Sequence, residues 1–407
     1  MTESTSSLLD FKGACFKVLA LHFALFVLGL FFSLPCTAEV SPFVFHQNHY
    51  THSETVQAIL TTYQNAKQDP KQLEKAFFLF QNLKNERLKA YQSSQKRFDS
   101  FQKVISLSQI SAALDQETVV VEFLEYKLPS DTWQYRYLVC YVSHDSVSMY
   151  EEMMPLAVFE HQKAQFQETM SYPDYLFYGK HLYMRLYKRI GKALRGMKAF
   201  ICPDLLMSEL PHHALLHAIP ADNQLFSYSA LSYTAKITQI HYALNSHEAW
   251  RLLKQTQVRR LPIVKSDSLL SEPALYFIQN SKKNTKRLFE GLLWAKQNPN
   301  SSCFFSSPDT PPRILEDFQQ QLQKGLPLYL AWHYALKFYL ESTQVLDKEK
   351  HIDYWASSYL VGNVSPLRVT NLPEMLWWQK YNNALWTLCL VFLTFLVKYF
   401  WKKCQRD

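Results

Sequence analysis

Between Ser53 and Leu114 apolar positions recur at helical spacing. Val56, Ile59, Leu60 and Tyr63 share one face, Asp69-Pro70 interrupts, and Leu73, Phe77, Phe80, Leu83 and Leu88 resume the stripe. The spacing predicts two or more amphipathic helices, read as a helical hairpin or spacer rather than a repeat array. The period then changes. Residues 118–126, TVVVEFLEY, form a nearly continuous apolar run, which predicts a buried strand with one polar edge. Residues 135–142 and 146–150 follow as two further strands of a meander. Tyr183, Leu186, Tyr187 and Ile190 predict a helix ending near Gly196, and the apolar run 198–202 is a short strand stopped by Pro203-Asp204.

Beyond Pro203 the pattern loosens. Residues 214–217 read as a short helix, and residues 229–237 alternate as a returning strand would. Residues 274–278 predict a strand, 287–295 a helix, 301–305 a strand, and 314–322 with Gly325 another helix. Strands alternating with helical periods predict an α/β domain at about 105–365, with a mainly parallel sheet flanked by helices.

Two longer apolar runs lie near the chain ends. Residues 18–34 follow Lys12 and Lys17 and lead to Pro35-Cys36-Thr37-Ala38, the layout of a signal peptide over 1–38, or of an uncleaved signal anchor. Residues 384–397, ALWTLCLVFLTFLV, extend into Tyr399 and Trp401, so that about 18 residues are available to cross about 30 Å of hydrocarbon. Trp377, Trp378, Tyr381 and Trp386 gather at one edge, and Lys402, Lys403 and Arg406 follow the other. This pattern predicts a transmembrane helix over 382–401, a juxtamembrane linker over 366–381 and a basic tail over 402–407. The basic tail is expected to be cytoplasmic, which leaves the body exported as a single-pass membrane protein.

Composition narrows the function classes. With 407 residues, 48% of them apolar, the chain builds a substantial core. Its formal charge of +8 is modest for this length, and nucleic acid is not an expected partner. Eight glycines leave no phosphate-cradling loop, and no cofactor is expected. Of the seven cysteines, only Cys140, Cys202 and Cys303 lie in the body, each in an apolar setting that reads as core.

Several motifs share an order with a known family. Residues 110–126 lead a helix into a strand ending in Glu125-Tyr126, and the Leu-Tyr helix precedes Pro203-Asp204. Leu210-Pro211, Ala214-Leu215 and Tyr233 follow, then the turn Ser306-Ser307-Pro308-Asp309 and the closing run HIDYWASSYLVGN at 351–363. Together they resemble the CHAT domain family, caspase-like and separase-related, over about residues 105–365, with residues 39–104 as a preceding helical spacer whose alternative reading is a tetratricopeptide-like remnant. The resemblance implies a caspase-like sheet. It also implies, in active members, a His from a His-Gly pair beside a Cys at the end of the next strand, the imidazole lowering the thiol's effective pKa and protonating the leaving amine.

This sequence departs from that pattern where the chemistry should be. Residues 234–286 span about half the length the family uses there and contain neither Gly nor Cys. The strand at 274–278 falls where the Cys strand belongs but runs into Gln279-Asn280, and an amide is no nucleophile. The resemblance therefore implies a degenerate member, a pseudo-peptidase acting on a protein partner as an interaction or scaffold module, with no catalytic residues. The alternative is a caspase-like cysteine endopeptidase with an atypical dyad of His247 and Cys303. Against the dyad, His241 and His247 are too far apart for the motif, and their segment reads as a continuation of the Tyr233 strand. No metal site is expected at His212-His213, because adjacent side chains point apart and no ligand set accompanies them; they read as surface or half-buried residues.

Overall fold

The computed structural model describes residues 53–66, 69–94, 104–128, 131–167, 172–218, 227–255, 257–265, 273–279, 286–306, 309–356, 358–363, 365 and 367–369. The predicted signal segment and transmembrane helix lie outside them. Among the described residues no helix is long and apolar enough to cross a membrane.

The helical stripe forms α1 (Ser53–Asn65) and α2 (Pro70–Ser94). Asp69 starts α2 by accepting the Lys71 N–H at 2.9 Å, and Pro70 occupies a first-turn position where its missing N–H costs nothing. A short α3 (Leu107–Ser111), closed by a Ser106/Gln109 capping box, leads into the meander β1 (Thr118–Leu128), β2 (Asp131–Val142) and β3 (Val147–Pro155). Then come α4 (Leu156–Gln167), α5 (Tyr172–Tyr187) and β4 (Lys198–Cys202).

The next stretch departs from the sequence reading. Residues 214–217 do not form a helix: His212–Ala214 make a single 3-10 turn and β5 (Leu216–Ala218) follows. The alternating run at 229–237 shortens to β6 (Ser232–Tyr233), which pairs with β5, and α6 (Thr234–Ile237). Local alternation was overridden because Thr234 N–H and Oγ1 both bond Leu215 O, turning the chain into a helical turn. β7 (Gln239–Tyr242) is thus a separate strand, not a continuation of β6, and α7 (Ser246–Lys254) follows it, capped by Asn245.

The remaining elements are β8 (Arg259–Leu261), β9 (Ile263–Lys265), β10 (Leu275–Gln279), α8 (Lys286–Gln297), β11 (Ser302–Ser306), α9 (Pro312–Gln323), α10 (Leu328–Glu341), α11 (Ile352–Trp355), β12 (Tyr359–Gly362) and β13 (Leu367–Val369). They build an α/β fold with two main sheets, ordered β3-β2-β1-β4-β7 and β12-β11-β10-β9. Neighbours β1/β4, β4/β7, β9/β10 and β10/β11 are parallel, whereas the meander and β11/β12 are antiparallel. β7 and β12, edge strands of the two sheets, lie against each other.

The alternation of β1 sorts two cores. Val119, Val121 and Phe123 point toward Phe159 of α4 and Leu182 and Leu186 of α5. Val120 and Leu124 point toward Val56 and Ile59 of α1 and Phe77 and Phe80 of α2. The helical pair thereby covers one face of the first sheet, each buried Phe contributing about 1.5–3 kcal/mol. At the end of α11, just before the second sheet's strand β12, Trp355 is fully buried, edge-on to Tyr233 at 4.9 Å, and donates its indole N–H to Lys350 O. β12 ends at Gly362, with φ +97°, where a Cβ would stand 2.7 Å from Ser301 O; only glycine fits.

Candidate functional site

In sheets with parallel interior strands, chemistry gathers at the strands' carboxyl ends. In the first sheet these ends are crowded with buried polar groups. Glu122 and Glu125 come from β1, Asp204 from the turn after β4, and Asn245 and Ser246 from the start of α7. Helix α2 closes over them with Gln81, Lys84, Asn85 and Arg87, which share a face because they stand three or four apart.

The bonds are specific. Arg87 Nη1 donates to Asp204 Oδ2 at 2.6 Å and to Glu125 O, while Lys84 Nζ donates to Phe123 O and, at 3.0 Å, to Pro203 O. Asp204 also accepts the Glu125 and Leu205 N–H groups at 2.8 and 3.0 Å. Burial pushes its pKa up, but the Arg87 and Lys84 charges and these N–H bonds outweigh it and hold the carboxyl below the ordinary value. Glu125 goes the other way: burial, then the Asp204 charge, raise it to about 7 against the pull of Arg87 and the Met207 N–H. Glu122 is raised by burial, opposed by Lys84 and by bonds from Ser246 and Gln81. The cluster is closed over by α2, whose Gln81, Lys84 and Arg87 bond groups at the ends of β1 and β4. Its evident work is to fasten α2 across the ends of β1 and β4.

The second sheet's parallel ends look different. β9 ends at Lys265 and runs alongside β10, which ends at Gln279, itself paired in register with Ser306 of β11. Neither strand contains His or Cys. Asn280 lies outside the described residues. Arg259, whose pKa is lowered to about 10 by burial, bonds Asn300 O, Asn363 O, Ser302 Oγ and Ser365 Oγ, tying β8 to the last turn of β12.

The residues singled out in the sequence are placed as follows. Cys140, Cys202 and Cys303 are free and fully buried, and burial pushes each thiol well above its ordinary pKa. Cys303 sits mid-strand in β11, between Tyr276 of β10 and Val361 of β12. His247 lies in the first turn of α7 beside Trp250, at 5.8 Å between ring centres. Its imidazole pKa is lowered by burial, with the charges of Glu248, Lys296 and Arg251 around it. No hydrogen bond or charge interaction joins His247 to Cys303. His241, on β7, is buried edge-on against Phe200 at 5.2 Å, its pKa lowered to about 3 by burial and Lys198.

His212 and His213 are fully buried, not the surface or half-buried residues their sequence suggested. Both rings flank Tyr242, at 6.1 and 6.3 Å between centres, but they hold different partners. His212 bridges Tyr187 OH at 2.6 Å and Met207 O at 3.0 Å, and His213 Nδ1 meets Tyr242 OH at 3.0 Å. Burial keeps both neutral, with pKa values lowered to about 4 and about 3. No group of three or more potential metal ligands occurs among the described residues. Beside His213, a cavity of about 20 Å³ lined by Thr238, Tyr242, Trp332 and His333 has room for about one water.

No protein-family model matches this chain, and no curated protein matches it. The buried charge cluster was missed by the sequence reading. Its signal was present as two glutamates, Glu122 and Glu125, inside an otherwise apolar strand, with Lys84 and Arg87 three apart on a helix.

Proposed function

We propose that the chain is a membrane-anchored, CHAT-like pseudo-peptidase that works by binding a protein partner. One observation supports this above the others: β9 and β10 are adjacent parallel strands whose carboxyl ends offer Lys265 and Gln279, where a caspase-like dyad would need His and Cys. A thiolate must lie within about 3 Å, or one water, of its base for the base to act on it. The described cysteines are instead buried and held protonated. The family likeness supplies the caspase-like topology, and the apolar run at 384–397 supplies the anchor.

The test treats the full chain with a Cys-reactive peptide electrophile, alongside proximity labelling from the exported body. No adduct is expected at Cys140, Cys202 or Cys303 in the folded protein. An adduct at Cys303 that requires His247 would replace this reading with the endopeptidase one.

A further inference from the structure

The chain's excess positive charge is concentrated. Residues 175–203 contain seven Lys or Arg and no Asp or Glu, leaving 36 of the 43 cations elsewhere, against 35 Asp and Glu. A total charge that is modest for the chain is therefore large for this stretch, which comprises most of α5, the turn after it and β4.

The fold turns the stretch outward. Leu182, Tyr183, Leu186 and Tyr187 bury one face of α5 against the meander. The opposite face exposes Phe177 (51%), His181, Met184 (38%) and Arg185, and Lys188 continues the stripe just past the helix end. Lys192 and Arg195 are exposed in the following turn. Two of the seven cations meet carboxylates: Arg189 pairs with Glu152 at 3.0 Å, and Lys198 approaches Asp115 at 3.9 Å. Lys180, Arg185, Lys188, Lys192 and Arg195 form no ion pair among the described residues. Lys180 donates to His217 O and lies over the Tyr183 ring at 5.7 Å. Burial and then the Arg195 charge lower the pKa of both Lys180 and His217, so like charges crowd here with no described carboxylate to relieve them.

We infer that the exposed face of α5 and the turn after it form a surface that lies on anionic phospholipid. Phe177 and Met184 meet the boundary between headgroups and acyl chains, and Arg185, Lys188, Lys192 and Arg195 meet the phosphates. Apolar side chains in line with cations on a surface helix are the pattern of an interfacial contact. A lone polyanion needs the cations but gains little from an exposed Met. The inference deepens the membrane-anchored reading and rests on it for the nearness of a bilayer.

The test adds the full chain to vesicles of phosphatidylcholine alone or with phosphatidylglycerol, and reads amine acetylation of Lys188 and Lys192 by mass spectrometry, with Lys324 as a distant reference. Labelling of both should fall about threefold or more on anionic vesicles at low salt and return at about 0.5 M salt, while neutral vesicles leave it unchanged. Arg185→Glu with Arg195→Glu, both at exposed positions, should abolish the protection while leaving the reporter lysines in place. Equal labelling on both vesicle types would overturn the inference, as would equal protection by a soluble oligonucleotide without vesicles. Flotation separates this surface from the anchor. With the anchor reading right and this one wrong, the chain floats with both vesicle types without anionic protection. With this one right and the anchor wrong, it floats only with the anionic ones.

Discussion

The carboxyl ends of the two main sheets invite comparison, because both are formed by adjacent parallel strands and they are filled in opposite ways. In the first sheet, Lys84, Arg87, Glu122, Glu125 and Asp204 are drawn into one buried cluster closed by α2. In the second, the parallel strands β9 and β10 finish at Lys265 and Gln279. The first sheet's charges are tied through Arg87 and Asp204 and hold α2 across the strand ends, whereas neither β9 nor β10 of the second sheet contains His or Cys.

The largest expected break in this comparison comes from Arg87→Met. It leaves Asp204 buried with its main cation removed and should cost about 3–5 kcal/mol, read by urea unfolding. A loss below about 1 kcal/mol would mean that the cluster does not fasten α2.

Next comes pH. Glu125 is raised from its ordinary 4.5 to about 7, so the folded chain holds its proton more tightly than the unfolded chain does. Its contribution is fully present below pH 4.5 and is lost as pH rises toward 7, at about 1.4 kcal/mol per pH unit. Glu125→Gln should flatten that dependence and leave the protein more stable than wild type above pH 7. His212, His213 and His241 act in the opposite sense. With folded pKa values of about 4, 3 and 3, they favour the neutral fold and withdraw stability as pH falls below about 6.5. A wild-type stability profile with no slope between pH 4 and 7 that stays flat in Glu125→Gln would contradict the Glu125 assignment.

In the second sheet the expected effects are smaller and purely structural. Gly362→Ala places a side chain at φ +97° against Ser301 O and should lower stability by about 1–3 kcal/mol in thermal unfolding. Cys303→Ala should cost on the order of 1 kcal/mol, with partner capture unchanged. Loss of capture in a folded Cys303→Ala protein would restore a chemical role to that thiol.

Much of this architecture was legible along the chain. The β-branched run at 118–126, the Pro-Asp stop after Cys202 and the Asp69-Pro70 break are local signals, and each became the strand, turn or helix start that its residues favour. The separation of Tyr233 from β7 was not legible. It depends on Thr234 reaching back to Leu215, a contact no alternation pattern encodes. Helix α10, wholly unanticipated, buries a regular stripe from Leu328 to Leu340, but its opposite face exposes Tyr334 and Phe338, so apolar residues lie all round it and its period carries little amphipathic contrast.

For the site, the sequence alone determined that the second sheet's strand ends lack Cys and His, since absence of a residue type needs no geometry. It also determined that one stretch holds nearly all the excess positive charge. Only the tertiary structure decided that Glu122, Glu125 and Asp204 meet Lys84 and Arg87, with Arg87 bonding Glu125 and Asp204 across 38 and 117 positions, and that His212 and His213 are buried. The physical reason is that burial and charge pairing are properties of the neighbours brought in by folding, which spacing along the chain does not specify.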